Sequence, residues 1–286
     1  MKEGIISPSK LEKFSECPFI YFMQYGLKLR EAEDDDTATR DAGNLIHGVL
    51  EQLFKTYSGK LPAREEIEAL IHLEIKRQKL DLQAEFYIDE MCFITSELLE
   101  LLSRSSFKIG KLEAGLNTKL DNGISVSGRV DRVDLLQDKA VIIDYKSASS
   151  VEFSEKNIEA GGRLQLFLYA RALKEHYGIE PAGVVYMPLR GGYKQKSRNS
   201  FYAFSGFIID GYVNLIDNIF ASDKKKSPYS GCKIITVQQM QQLADKAGQA
   251  AERAAAGIKS GQAHVTPGDD ACRFCDYEGI CRCAKA

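Results

Sequence analysis

The chain has 286 residues, of which 44% are apolar and 27% are charged, a composition that excludes global disorder and suits one or two folded domains. A formal net charge of −2 excludes a strong overall positive field, so any nucleic-acid site must be local. No apolar run approaches the ~20 residues of a membrane span, and residues 1–8 lack the apolar core of a secretory signal. We therefore expect a soluble cytoplasmic protein without membrane contact.

The first long predicted element is a helix over residues 41–58. Its apolar residues recur at steps of three and four, which places them on one face. His47 lies beside this face. Residues 62–108 are rich in Leu, Ile and Glu and predict two or three further helices. Because no turn signal separates them, we interpret them as a helical insert within a single domain of residues 1–286.

The pattern then changes to short strands. Asn122-Gly123 is a strong hairpin signal, so the first three strands should form an antiparallel meander. A helix follows over residues 157–177, interrupted at Gly161-Gly162. After it come a strand, a polar hairpin or loop at residues 190–198, a further strand and a mostly helical remainder to Gly261. The predicted strands cover residues 112–120, 124–135, 139–146, 183–187 and 201–209. The order of elements predicts an α/β fold with a central mixed sheet flanked by helices.

The meander carries the densest chemistry of the chain. Asp144 and Lys146 are two residues apart on one strand and share a face, and Asp131 on the neighbouring strand can reach the same place. Two carboxylates suit Mg²⁺ or Mn²⁺, and a lysine beside the metal can orient the attacking water. The alternative is a surface ion pair at the end of a strand. The apolar run at residues 140–143 favours a buried strand that delivers an acid and a base.

Four motifs resemble those of the PD-(D/E)xK nuclease superfamily in its RecB-like branch. They are Gly43-Asn-Leu-Ile-His47, Gly128-Arg-Val-Asp131, Ile143-Asp144-Tyr-Lys146 and Gln165-Leu-Phe-Leu-Tyr169. The resemblance implies a restriction-endonuclease-like core. It also implies metal ligands at His47, Glu113, Asp131 and Asp144, and a catalytic site that contains Asp131, Asp144, Lys146, Gln165 and Tyr169. Gln165 and Tyr169 would position DNA or support the site.

Each of the weaker assignments has a plainer alternative. A lone histidine beside an apolar stripe, such as His47, is more often structural than a ligand. Glu113 could be an exposed strand residue. Gln165 and Tyr169 are four residues apart and share a helical face, which by itself carries little information.

Cysteines are concentrated at the end of the chain, where four of the seven lie within the last fifteen residues. An odd number of cysteines in a cytoplasmic protein favours a metal site over disulfides. Either iron–sulfur or zinc suits thiolates. A zinc site could use the four local cysteines, although the spacing Cys281-x-Cys283 is shorter than that of typical zinc ligand pairs. The local set is Cys272, Cys275, Cys281 and Cys283.

Cys17-Pro18 and its surrounding segment, residues 7–22, resemble the cysteine turn of the iron–sulfur subset of these nucleases. The resemblance implies a [4Fe–4S] cluster held by Cys17, Cys272, Cys275 and Cys281. Residues 262–286 would then close onto Cys17 and join the two chain ends. Cys283 would be a spare thiol or a substitute ligand after damage to the cluster.

Within this branch, the chain is most similar to the C-terminal nuclease domain of AddB in AddAB-type helicase–nucleases. The resemblance implies a Mg²⁺- or Mn²⁺-dependent deoxyribonuclease that processes single-stranded DNA or DNA ends in repair and recombination. The sequence has no P-loop, so ATP-driven unwinding would come from a helicase partner or domain. Two alternatives are a CRISPR-associated RecB-like exonuclease and a non-catalytic DNA-binding or assembly module on the same fold.

Two basic segments are candidates for DNA contact. The first contains Tyr193 among four cations, and the second is the run Lys224-Lys-Lys226. Cations suit phosphates and an aromatic ring suits base stacking, although either segment could be a solvated loop. The four cations of the first segment are Arg190, Lys194, Lys196 and Arg198.

Overall fold

The computed structural model describes residues 5–29, 36–57, 60–148, 150–189, 203–269, 271–273, 275–281 and 283. Seven strands in this part of the chain form one mixed sheet, and helices cover both of its faces. The predicted α/β fold with a central mixed sheet is therefore confirmed. None of the helices among the described residues is long and apolar enough to cross a membrane.

The sheet is organised around β3, which pairs with three other strands. It pairs parallel with β1 and antiparallel with β2 and β4, and the sheet continues from β4 through β5 and β6 to β7. The β4–β5 and β6–β7 pairs are parallel, and the β5–β6 pair is antiparallel. The strands are β1 Ile5–Ile6, β2 Lys108–Lys119, β3 Ser125–Leu136, β4 Lys139–Lys146, β5 Glu180–Pro188, β6 Ser205–Ile209 and β7 Lys233–Ile235.

The helices surround this sheet and include several single-turn segments. The described α-helices are α1 Pro8–Glu16, α2 Pro18–Tyr21, α3 Asp36–Thr56, α4 Arg64–Gln78, α5 Glu85–Arg104, α6 Glu155–Glu159, α7 Gln165–Tyr177, α8 Val213–Ile216, α9 Val237–Lys259 and α10 Glu278–Cys281. Two helices, α4 and α5, occupy the region that the sequence predicts as a helical insert.

Local turn chemistry explains why the meander and the interrupted helix were predictable. Gly123 has φ +84° in the turn between β2 and β3, a conformation that glycine adopts without steric cost. Gly161, with φ +82°, lies in the break between α6 and α7. The two shortest strands, β1 and β7, were not predicted, because two or three residues do not show an alternating pattern.

Two apolar cores lie on opposite faces of the sheet. One core packs α1, α7 and α9 against the sheet, and the other packs α3, α4 and α5 against it. Along β4, Ala140 and Ile142 belong to the first core, whereas Val141, Ile143 and Tyr145 belong to the second. This alternation directs the side chains of the next even-numbered residues of β4 toward α7.

Candidate active site and metal centre

Three side chains from three different elements meet at the sheet and form a candidate metal site. The ligand atoms of His47 on α3, Glu113 on β2 and Asp131 on β3 all lie within 4.8 Å of one another. His47 Nδ1 is 3.5 Å from Asp131 Oδ2. Among the described residues, this is the single group of three or more such ligands at that spacing. One imidazole nitrogen and two carboxylate oxygens suit a divalent cation such as Mn²⁺ or, through the oxygens, Mg²⁺.

The backbone of the meander orients the two carboxylates of this group. The pairs Leu112–Arg132 and Ala114–Val130 flank Glu113 and Asp131, so these two residues lie opposite each other. The Tyr145 amide donates a hydrogen bond of 2.7 Å to Asp131 Oδ2. Glu113 has φ +47°, a left-handed conformation that is strained for a glutamate in a strand, and such strain is often found at functional positions.

The surroundings of His47 and Glu113 raise the pKa of both side chains. Burial alone would lower the pKa of His47, but the hydrogen bond and charge of Asp131, helped by Asp144 and Glu113, raise it above its ordinary value. Burial and then the neighbouring Asp131 raise the pKa of Glu113. Protons therefore compete with a metal ion for both groups, as they do in metal sites generally.

Asp144 and Lys146 form a close ion pair beside this group. Asp144 is 2% exposed, and Lys146 Nζ lies 2.6 Å from its Oδ2. Burial, with a contribution from the Asp131 carboxylate, raises the pKa of Asp144 to about 7, while Lys146 and His47 oppose the rise. A buried carboxylate beside a second carboxylate is costly, and a bound cation would offset that cost. Asp144 is thus adjacent to the candidate metal site, but its carboxylate is not among the ligand atoms that lie within 4.8 Å of one another.

A chain of polar contacts connects Lys146 to α7. Lys146 Nζ donates to Gln165 Oε1 at 3.3 Å, and Gln165 Nε2 donates to the Tyr169 hydroxyl at 3.2 Å. A Cβ at Gly128 would lie 2.6 Å from that hydroxyl, which explains why the strand has a glycine there. The structure therefore brings the predicted residues of α7 to the predicted lysine.

Glu12, a half-buried residue on α1, belongs to the site although no sequence motif indicated it. Its Oε1 accepts hydrogen bonds from the amides of Leu164, at 2.7 Å, and Gln165, at 3.0 Å. Burial raises the pKa of Glu12, while the Gln165 amide and then the charge of Lys146 lower it. The N-cap residue of α7, Leu164, has no side chain that could cap the helix. The sequence does show that α7 begins at a residue that cannot cap it. It does not show which distant residue accepts the hydrogen bonds of the first amides.

Asp134, which ends the Gly-Arg-Val-Asp-Arg-Val-Asp segment of β3, lies outside the site. Arg132 Nε donates to Asp134 Oδ1 at 2.7 Å, and both side chains are almost fully buried. The Arg132 guanidinium lies 5.2 Å from the centroid of the Phe54 ring on α3. This pair belongs to the packing between β3 and α3, so only the first aspartate of the segment reaches the metal group.

The two ends of the described chain meet around Cys17. Cys17 is buried and packs with Ile20, Tyr277 and the partly buried Cys275. The Gly268 amide donates to the Glu16 carbonyl at 2.8 Å, and the Tyr277 hydroxyl donates to the Leu29 carbonyl at 2.9 Å.

The other C-terminal cysteines lie close to this group. Burial raises the pKa of Cys275, and the thiols of Cys281 and Cys17 contribute to the rise. Desolvation also raises the pKa of Cys272, with contributions from Cys283 and then Cys275 and Cys281. The cysteines of the described chain ends are therefore neighbours. However, no three of their sulfur atoms lie within 4.8 Å of one another, as the ligand atoms around His47 do.

Of the two basic segments that are candidates for DNA contact, the structure describes only the second. Arg190, Lys194, Lys196 and Arg198 lie outside the described residues. The second basic segment forms a short 3₁₀ turn in which Lys226 pairs with Asp223 at 3.0 Å and Lys224 lies over the Phe220 ring. Two of the three lysines of the second segment therefore contact neighbouring residues of the chain.

Comparison with known proteins identifies the class to which this fold and site belong. The family model of the PD-(D/E)XK nuclease superfamily matches residues 5–282, so the chain belongs to that superfamily. It is similar to AddB proteins, the B-type subunits of ATP-dependent helicase/deoxyribonucleases. The Clostridium botulinum (strain Loch Maree / Type A3) protein is 33% identical over 64% of this chain and 19% of its own length. That of Clostridium tetani is 26% identical over 97% of this chain and 30% of its own length. The match thus spans less than a third of these relatives.

We expect Glu12 to stabilise the start of α7 through its two amide hydrogen bonds. Glu12→Ala should lower the free energy of unfolding by about 1–3 kcal/mol, because two partly buried amides lose their acceptor. Glu12→Gln keeps an acceptor oxygen and should recover most of that loss. Urea denaturation at pH 7 measures the free energy of unfolding of both variants.

Glu252 provides the control for this experiment, because its exposed carboxylate also accepts a hydrogen bond from a distant amide, that of Asp121 at 2.9 Å. Glu252→Ala should change the free energy of unfolding by no more than about 0.5 kcal/mol. Equal effects of Glu12→Ala and Glu252→Ala would contradict a specific role for Glu12.

Proposed function

We propose that this chain is a Mg²⁺- or Mn²⁺-dependent deoxyribonuclease that hydrolyses phosphodiester bonds during the processing of DNA ends. The observation that carries this proposal is the convergence of His47, Glu113 and Asp131 beside the ion pair of the buried Asp144 with the half-buried Lys146. Membership of the nuclease superfamily and similarity to proteins named as parts of helicase/deoxyribonucleases support it.

The residues of the site divide into metal ligands and a polar group around Lys146. His47, Glu113 and Asp131, with Asp144 beside them, would hold the cation. When bound, such a cation polarises the phosphoryl oxygen and lowers the pKa of a coordinated water. Lys146 would orient the attacking water and offset negative charge at the scissile phosphate.

Gln165 and Tyr169 would keep the Lys146 ammonium in place. Gln165 is within hydrogen-bond distance of Lys146, and Tyr169 supports Gln165 from the next turn of α7. A flexible lysine side chain loses rotamer entropy when it is fixed. A partner that already holds it reduces the entropy that must be lost when the transition state forms. This network is therefore part of the proposed catalytic site.

We propose that the chain works with a helicase, either as a separate polypeptide or as a domain of a longer protein. The relatives are named for both helicase and deoxyribonuclease activities, and the chain spans less than a third of their length. A helicase would supply single strands or opened ends to the nuclease. This context favours a cytoplasmic role in repair and recombination over a CRISPR-associated exonuclease.

The main competing proposal is a non-catalytic DNA-binding or assembly module. Such a module has no need of a carboxylate that is 2% exposed beside a second carboxylate, since apolar residues would stabilise the same position better. The retained acids and lysine therefore favour catalysis. Activity measurements separate the two proposals directly.

Lys146→Ala should reduce cleavage of end-labelled single-stranded DNA by at least about 100-fold in Mg²⁺ or Mn²⁺, because it removes the positioned cation at the reacting phosphate. The measurement is loss of label from 5′- and 3′-labelled substrates, with EDTA as the metal-free arm. Asp144→Ala should also abolish cleavage.

The matched control is Lys139→Ala, because Lys139 begins the same strand and pairs with Asp138 at 2.8 Å, outside the site. It should retain full activity. Metal-dependent cleavage that survives in folded Lys146→Ala protein would contradict the assigned role. Absence of cleavage in the wild type, with or without a helicase partner, would favour the non-catalytic module.

We further propose that Cys17, Cys272, Cys275 and Cys281 hold a [4Fe–4S] cluster that fastens the chain ends together. The buried position of Cys17 against Cys275 and the bond from the Gly268 amide to the Glu16 carbonyl support the proposal. Four thiolates suit such a cluster, and metal binding adds directly to the free energy of folding. The alternative is a zinc site that includes Cys283.

Cys275→Ser should remove the visible absorbance of anaerobically purified protein and lower its midpoint of thermal unfolding, because a thiolate ligand is lost. Cys92→Ser on α5 is the control and should leave the absorbance unchanged, since Cys92 lies in the second core, away from the chain ends. Iron, sulfide and zinc analysis identifies the metal. A colourless wild-type protein with stoichiometric zinc would contradict the iron–sulfur proposal.

A further inference from the structure

An open cleft of about 760 Å³ leads to the candidate metal site. His47 and Glu113 line it, together with three arginines from three different elements: Arg40 on α3, Arg77 on α4 and Arg129 on β3. Their shared position around one cleft raises the question of what anion they bind.

The arrangement of Arg77 is built around a buried carboxylate. Glu74 is fully buried, and its Oε2 accepts hydrogen bonds from Arg77 Nε at 2.9 Å and Nη2 at 2.7 Å. Gln78 Nε2 donates to the same oxygen at 2.8 Å and also to the Asn44 carbonyl at 3.2 Å. A buried carboxylate is expensive unless it is paired. Here it fixes the guanidinium of Arg77, whose side chain remains 51% exposed.

A glycine on α3 makes this arrangement possible. A Cβ at Gly48 would lie 2.4 Å from Glu74 Oε2 and 2.5 Å from Gln78 Nε2. A residue with a Cβ would displace the ends of these two side chains, including the carboxylate that holds Arg77. Gly48 directly follows His47 and both line the cleft, so the Glu74 carboxylate lies next to the cleft wall that carries the candidate metal ligand.

Arg129 borders the same metal group from the sheet. Its Nη1 is 3.6 Å from Glu113 Oε2, and the side chain is 69% exposed. A guanidinium has five N–H donors, so both arginines, which line the cleft, keep several donors that their contacts with glutamate do not use. The planar fork of these donors matches phosphate oxygens well.

We infer that the cleft binds the sugar–phosphate backbone of a single DNA strand, with Arg77 and Arg129 holding phosphates on either side of the one at the metal site. This inference rests on the proposed nuclease function. A volume within the range of small-molecule sites, roughly 300–1,000 Å³, accommodates a short stretch of one strand and not a duplex. The helices of residues 62–108 thereby contribute a substrate-binding residue in addition to their packing.

Fluorescence anisotropy with a labelled oligothymidylate tests this inference, in Mg²⁺ and in a Lys146→Ala background that should leave the probe intact. A gel of the recovered probe confirms that it was not cleaved. Binding is measured between 50 and 200 mM salt, because each lost phosphate contact lowers the slope of log K against log salt by about 0.7 for single strands. A duplex of equal length provides the comparison.

Arg77→Ala and Arg129→Ala should each weaken binding of the single strand several-fold and lower the salt slope by about 0.7, and the double variant should lose about twice that slope. Lys76→Ala is the control, because Lys76 has the same charge on the same helix but does not line the cleft. It should leave the slope unchanged. Duplex should bind more weakly than the single strand.

Several results would overturn the inference. Unchanged salt slopes in both Arg77→Ala and Arg129→Ala would do so, and since Arg129 is exposed, its variant should fold even if Arg77→Ala does not. A loss of thermal stability in Arg77→Ala without a change in slope would make Arg77 only a partner of Glu74. Those outcomes, combined with cleavage that depends on Lys146, would leave the proposed nuclease intact. Failure of the parent protein to bind single strands would also overturn the inference.

Discussion

The arrangement of the site depends on one costly interaction, the burial of the Asp144 carboxylate beside that of Asp131. Two carboxylates in a water-poor place repel each other, and burial favours their protonated forms. Lys146, 2.6 Å from Asp144, offsets part of that cost. The Tyr145 amide on β4 donates a hydrogen bond to the Asp131 carboxylate, and Asp144 is itself a residue of β4. One strand therefore orients the first aspartate through its backbone and carries the second. A cation bound by His47, Glu113 and Asp131 would offset the remaining repulsion.

The two apolar cores allow this arrangement to form. Because β4 is buried on both faces, its alternating side chains are directed alternately to the two helical layers. The layer of α3 brings His47 to one side of the site, and the layer of α7 brings Gln165 to the other. Two glutamates then order the neighbouring elements: the half-buried Glu12 caps α7, and the fully buried Glu74 holds Arg77 on α4. In each, one carboxylate oxygen accepts at least two hydrogen bonds.

The sequence predicted the parts of the fold that follow from local chemistry. Asn122-Gly123 and the period of two in β4 were enough to place Asp144 and Lys146 on one face, and motif resemblance supplied His47 and Gln165. The strands β1 and β7 could not be predicted, because they are defined by their partners and not by a pattern.

Glu12 and Glu74 could not be assigned for a different reason. The amides that Glu12 binds are distant in sequence, and Glu74 is buried by the packing of α4 against α3, whereas a glutamate on a helix normally indicates a solvated face. Only the packing of the helices shows that Glu74 is fully buried and that Glu12 is half-buried. The small residues that permit such packing, Gly48 and Gly128, are visible in the sequence, but their steric role requires the identity of the neighbour.

The most direct test of this account is thermal unfolding of the wild type and Asp144→Asn between pH 4 and 8, with EDTA or Mn²⁺. The pKa of Asp144 is raised from 3.8 to about 7, so the folded state holds a proton that the unfolded state releases, and stability should fall as pH rises through this window. In EDTA, the wild type should therefore lose stability relative to Asp144→Asn up to about pH 7. Mn²⁺ should raise the melting temperature of the wild type at pH 8 by more than that of the variant, because only the wild type has a second carboxylate whose charge the cation offsets. Equal stabilisation of both proteins by Mn²⁺, or a stability difference that does not depend on pH, would contradict the account.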